Sequence, residues 1–138
     1  MAATLRLEIV TPETRAYSDD VEFVVLPAIE GEMGVYPMHV PLITSIKPGE
    51  LVVTKGGKIT YLAVGEGFVE VTAEKVSVLV DMAMTEEAID EKAAEEAVKR
   101  AEARLKEQVL DEEESALVQA AIARSLAQLH VKRRRRSV

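Results

Sequence analysis

The sequence changes period once, and that change limits the fold more than any other feature. Up to about Asp81 the apolar residues come in short runs, rich in β-branched side chains and separated every eight to twelve residues by turn formers. From Thr85 onward the spacing is helical, and no Gly or Pro falls anywhere between Glu86 and Val131. Short strands at that interval predict an antiparallel sandwich or flattened barrel, and the continuation predicts helices. The fold class expected is an all-β N-terminal sandwich followed by a C-terminal two-helix antiparallel hairpin, α+β overall, with residues 1–84 in the first part and 85–138 in the second.

Leu5, Leu7 and Ile9 alternate with Arg6 and Glu8, the period of a half-buried strand, and Thr11-Pro12-Glu13 ends it. Val21 to Leu26 reads as a buried strand. Pro27 to Pro41, dense in Gly and Pro, reads as a long stiff loop, with Pro37 and Pro41 lowering the entropy lost on docking. Leu42 to Ile46 follows as a strand. Leu51 to Thr54 and Lys58 to Val64 flank Lys55-Gly56-Gly57, a hairpin signal in which Gly-Gly supplies positive φ. Gly65-Glu66-Gly67 has no helix after it and no phosphate-binding Lys-Ser/Thr, so it reads as a bulge or turn before Phe68 to Thr72 and Val76 to Val80.

Two helices are expected, Glu86 to Val109 and Glu112 to Val131. Asp111 stands three residues before Glu114, the spacing of a capping box, and Glu112-Glu113-Glu114 suits the positive end of a helix dipole. Such a cap contributes only about 1 kcal/mol, and Val109-Leu110-Asp111 does nothing to forbid one continuous helix. The first helix carries a stripe of Ile89, Ala93, Ala97, Ala101, Leu105 and Val109. The second has Val118, Ile122, Leu126 and Leu129 on one side and Ala116, Ala120, Ala123 and Ala127 on another. Alanine stripes bury few methylenes at ~0.8 kcal/mol each, so the hairpin is expected to close weakly and to lie near an extended form in energy. The competing reading is a permanently closed hairpin.

With 138 residues and 48% apolar content the chain can bury a core, and the absence of Cys excludes disulfides and thiolate metal sites. No apolar run nears the roughly 20 residues of a membrane span and the first residues lack signal-peptide character; a soluble protein, or one peripheral to a larger assembly, is expected. Net charge is −7, unevenly spread. Met1 to Met84 has six basic against twelve acidic residues, whereas Arg124 and Lys132 to Arg136 form a basic end with no acid among them. That tip calls for an acidic protein surface, or it is a solvated tail. Phosphate neutralisation on nucleic acid is the alternative reading, opposed by the lack of aromatic residues beside the tail and by the acidic remainder. The only two histidines, His39 and His130, fall in separate parts, so no metal site is expected, and no set of nucleophile, base and orienting group points to an autonomous enzyme.

Three segments carry a family resemblance. Leu5-Arg6-Leu7-Glu8-Ile9-Val10-Thr11-Pro12-Glu13, Glu30-Gly31-Glu32-Met33-Gly34-Val35-Tyr36-Pro37-Met38-His39-Val40-Pro41-Leu42 and Ala63-Val64-Gly65-Glu66-Gly67-Phe68-Val69-Glu70-Val71 are similar to motifs of the epsilon subunit of bacterial rotary (F-type) ATP synthases. The order of sandwich then hairpin matches as well, from end to end. The resemblance implies a non-catalytic rotor subunit of the central stalk, coupling ion flow through the c-subunit ring to ATP synthesis, peripheral on the cytoplasmic face of the bacterial inner membrane. It implies a c-ring contact at Glu30, Gly31, Glu32 and Met33 and a gamma-subunit contact at His39. It further implies a hairpin that extends and hinders ATP hydrolysis, with Arg124, Lys132, Arg133, Arg134, Arg135 and Arg136 meeting a catalytic beta subunit. Some members of that family bind ATP through Ile-Asp-x-x-Arg-Ala. Here Ile89-Asp90-Glu91-Lys92-Ala93-Ala94 lacks the Arg, and Met84 stands where a Glu is expected. Ile89, Asp90 and Arg100 are what remains of such a site. Without the guanidinium a bidentate phosphate partner is lost, so ATP binding is expected to be weak or absent, and no cofactor is implied.

Overall fold

The computed structural model describes residues 3–107 and 109–134. Ten strands form one continuous sheet that folds over a shared core, in the order β10-β7-β6-β3-β5-β8-β9-β1-β2, with β4 paired to β3 off that path. The expected sandwich followed by two helices is the fold observed. β1 (Leu5–Val10) buries Leu5, Leu7 and Ile9, as their alternation requires, and pairs in parallel with β9 (Lys75–Val80) and antiparallel with β2 (Arg15–Val21). The Thr11 to Thr14 turn between them is closed by the Thr11 N–H donating to the Thr14 carbonyl at 2.8 Å.

β2 was not foreseen. Ala16-Tyr17-Ser18-Asp19-Asp20 shows no apolar alternation, because its only sizeable inward group is Tyr17, half-buried against the core. The expected loop from Pro27 to Pro41 is also corrected. β3 (Phe23–Ala28) turns back through Ile29 and Glu30 into β4 (Gly31–Val35), a hairpin in which Met33 packs on the core and Val35 is fully buried. The glycines that made this stretch look like loop have separate uses. Gly31 takes φ +130° at the turn, while a Cβ on Gly34 would stand 3.0 Å from the Phe23 ring.

β5 (Leu42–Ile46) pairs with β8 (Gly67–Val71), and β6 (Gly49–Lys55) with β7 (Lys58–Val64) through Gly56 and Gly57, both at positive φ as expected. Gly65-Glu66-Gly67 is a tight connection between β7 and β8. A side chain on Gly65 would overlap the Asp81 carboxylate, and one on Gly67 would overlap the Leu79 backbone carbonyl.

β10 (Ala83–Thr85) adds to β7. The first helix starts later than its spacing predicts. Glu86–Ala88 is a 3-10 turn, Ile89 is extended, and α1 runs Glu91–Glu107. Two causes set that start. Ile89 is drawn into a small apolar cluster, and Asp90 Oδ1 accepts the Ala93 N–H at 3.0 Å, an N-cap at the true helix origin. The buried stripe turns with it: Ala94 is buried, Ala97, Ala101 and Leu105 are half-buried, and Ala93 and Val109 face out. α2 runs Glu112–Arg134, capped by Asp111 Oδ1 on the Glu114 N–H at 2.7 Å as expected, and extends past the predicted end at Val131. It buries Val118, Ala127, Leu129 and Val131 while Leu126 is 50% exposed, because it lies between α1 on one side and β6 and β7 on another.

The apolar interior is divided. Seventeen buried residues, all between Leu5 and Val80, make the sandwich core. Ala63, Ile89 and Val131, with Tyr61, Met82 and Met84 around them, make a second cluster on the outer face of β7. Among the described residues no helical one belongs to the first.

Candidate functional site

Alternation along β6 and β7 sends Leu51, Val53, Leu62 and Val64 into the core and leaves Glu50, Val52, Tyr61 and Ala63 on the outer face. Glu50 lies cross-strand from Ala63, and Val52 from Tyr61. α2 comes down on this face with Val131 over Ala63, which brings its basic end onto Glu50.

The Arg134 Nε donates to Glu50 Oε2 at 2.6 Å and its Nη2 to Glu50 Oε1, a two-pronged carboxylate pair, and its guanidinium carbon lies 4.8 Å from the Tyr61 ring centre. The Glu50 side chain is 10% exposed, the most secluded acid paired with this basic end. The Glu50 hydrogen bond, then the Glu50, Tyr61 and Glu32 charges, hold the Arg134 pKa above its ordinary value against the opposing effect of burial. Arg133 stays within the hairpin, donating to Glu91 Oε1 at 2.9 Å and to Glu95, and the first of these bonds leads in raising its pKa. Lys132 donates to the Glu86 carbonyl at 3.1 Å. Arg124 reaches Asp81 Oδ2 at 3.4 Å, and Asp81 Oδ1 accepts the Glu66 N–H at 3.0 Å. Arg135 and Arg136 lie outside the described residues. Glu50, Tyr61 and Asp81 were not foreseen, since nothing local in the sequence marks a carboxylate or a ring as the seat of an arginine some 40 or 80 positions away.

The other foreseen residues fall elsewhere. Glu30 is exposed at the β3–β4 turn, Gly31 takes its positive φ there, and Glu32 and Met33 begin β4, where they share a shallow hollow with Leu42 and Thr44. His39 follows in the connection to β5, its Nδ1 donating to the Val40 carbonyl at 2.7 Å. Around it Tyr36, Met38, Val40 and Ile43 are exposed, Met38 at φ 69° with its N–H tied to the Ala73 carbonyl. On β8 and β9 Phe68 and Leu79, which pair across the strands, are exposed as well. Ile89 belongs to the second cluster, Asp90 caps α1, and Arg100 stands exposed on α1. Among the described residues no helix is long and apolar enough to cross a membrane.

A β sandwich with a separately packed helical pair and exposed apolar side chains is the architecture of a subunit built for contacts with other chains. The chain belongs to the delta/epsilon chains of ATP synthase. Residues 4–86 match the family described as ATP synthase, Delta/Epsilon chain, beta-sandwich domain, and residues 87–133 match its long alpha-helix domain. Over 131 residues the chain is 41% identical to ATP synthase epsilon chain 2 of Syntrophotalea carbinolica, covering 95% of each. It is 42% identical to the ATP synthase epsilon chain of Laribacter hongkongensis, covering 92% of this chain and 91% of that one. Among solved structures it is similar to a chain of the Euglena gracilis mitochondrial ATP synthase, OSCP/F1/c-ring, with TM-score 0.72 and 26% identity, covering 89% of this chain and 78% of that one. The fold recurs in a Tetrahymena thermophila mitochondrial ATP synthase chain, with TM-score 0.66 and 12% identity. The chain is thus an epsilon-type subunit of the ATP synthase complex.

Proposed function

We propose that residues 1–84 act as the rotor body, seated on the c-subunit ring through Glu30, Gly31, Glu32 and Met33 and held to the gamma subunit by the apolar surface around His39, thereby coupling ion flow to ATP synthesis. The complex would place the chain on the cytoplasmic face of the bacterial inner membrane. Residues 85–138 act as a detachable regulatory hairpin that stands up toward the catalytic beta subunits and hinders hydrolysis, offering Arg124 and Lys132 to Arg136 to an acidic surface. One observation supports the detachable part above all: among the described residues the sandwich core closes without any helical one, and the hairpin docks through a second, small cluster. Opening therefore leaves the body folded. A second helix of 23 residues spans roughly 35 Å at 1.5 Å per residue, a long reach once released. ATP is not proposed as a ligand, since Ala93 replaces the expected Arg and Asp90 serves as a helix cap. No observation favours nucleic acid for the basic tail.

Deleting Glu86 to Val138 tests this reading. The truncated chain is expected to fold, to assemble into the complex and to raise its rate of ATP hydrolysis; unchanged hydrolysis by a correctly assembled complex refutes the brake.

A further inference from the structure

We propose that Glu50 and Tyr61 form a guanidinium-binding site on the outer face of the sandwich, occupied by Arg134 when the hairpin is closed, and that this site competes with the acidic partner surface for the same arginine. The inference rests on the brake reading for its second half only. Its first half stands on geometry. Glu50 presents both oxygens to Nε and Nη2 of one guanidinium, the arrangement in which carboxylate and arginine match most strongly, and Tyr61 offers a ring 4.8 Å from the guanidinium carbon. Cross-strand register fixes the receptor, since Glu50 and Tyr61 are on adjacent paired strands that the sandwich core holds rigid.

Of the basic residues described at the end of α2, Arg134 is the one whose side chain bonds to the sandwich. Arg133 bonds to α1, and Lys132 to the 3-10 turn. Earlier on α2, Arg124 meets Asp81, but that carboxylate is 43% exposed against 10% for Glu50. The two arginines are similarly exposed, at 36% and 40%, so the difference lies in the carboxylate: a single bond to an exposed acid contributes little, whereas a two-pronged bond to a secluded acid loses more when one partner goes. Arg134 is thus the latch, and a guanidinium that is latched cannot bind a second carboxylate in the same way. Closed docking and grip on the partner become mutually exclusive at a single residue.

The test uses the full chain with spin labels at cysteines introduced at Lys58 and His130, which are unique because the chain has no Cys of its own. Glu50→Gln keeps the shape and removes the charge, and it is expected to raise the open-to-closed ratio about fivefold to tenfold. Arg134→Gln should open the hairpin similarly, and the double variant should add little beyond either, the signature of a coupled pair. In the assembled complex the two variants part: Glu50→Gln should deepen inhibition of hydrolysis, because it frees Arg134, while Arg134→Gln should relieve it. An unchanged distance distribution in Glu50→Gln overturns the latch whatever the complex does. A hairpin that opens without altered hydrolysis keeps the latch and sinks the brake together with the competition.

Discussion

Val131→Ala separates the docking of the hairpin from the stability of the sandwich. Val131 is fully buried, against Ala63 and Ile89, and those three form the cluster that lies outside the sandwich core. Removing two methyl groups costs about 1.6 kcal/mol at ~0.8 each, and the space left behind brings the loss to roughly 2 kcal/mol. Because that loss exists only while the hairpin is docked, it falls on the closed form and raises the open-to-closed ratio roughly thirtyfold. The labels at Lys58 and His130 should then report a population at long distance. Thermal melting of the sandwich should move little, since none of its seventeen core residues is touched. Val78→Ala is the matched control, equally buried but inside the sandwich core, and should lower the melting temperature without opening the hairpin. If Val131→Ala lowers sandwich melting as much as Val78→Ala does, and the distances do not change, the two clusters are one cooperative unit and the reasoning fails.

Gly67→Ala should destabilise the sandwich by about 1–3 kcal/mol in a denaturant titration, because its Cβ meets the Leu79 carbonyl on a strand whose pairing cannot yield; a midpoint equal to the parent's would show that the strands separate easily there. Asp19→Asn probes the seam between β2 and β6, where Lys55 bonds to the Asp19 carboxylate. That bond, followed by the Asp20 N–H, holds the Asp19 pKa below its ordinary value. A depressed carboxylate contributes stability above its unfolded pKa and loses it as pH falls through the folded one. The variant should therefore melt slightly below the parent near neutrality and converge with it in acid, and a gap that persists in acid would show that the carboxylate charge is not what matters.

Much of the fold is written locally. Leu5-Arg6-Leu7-Glu8-Ile9 buries one side as a strand, Gly56-Gly57 suits a tight hairpin, and Asp111 with its acidic triplet favours a helix start. Where the sequence misled, a distant partner was responsible. Arg15 to Val21 became a strand by pairing with β1, the supposed loop at Gly31 to Val35 by pairing with β3, and Ile89 left the helix because Val131 and Ala63 offered it burial.

The candidate site divides along the same line. Its basic half, Arg124 and Lys132 to Arg136, can be read directly as a block of one sign, because charge is a property of each residue alone. Its acidic half belongs to the tertiary structure. Glu50 is one acid among many until β6 pairs with β7, the pleat turns it outward beside Tyr61, and α2 is laid across that face so that residues 84 positions apart meet. The spacing of apolar residues and the order of charges determined that this chain would carry a sandwich, a helical pair and a cationic end. Only folding decided what that end would hold, because the attraction between a guanidinium and a carboxylate depends on the distance and seclusion that the sheet register and helix docking provide.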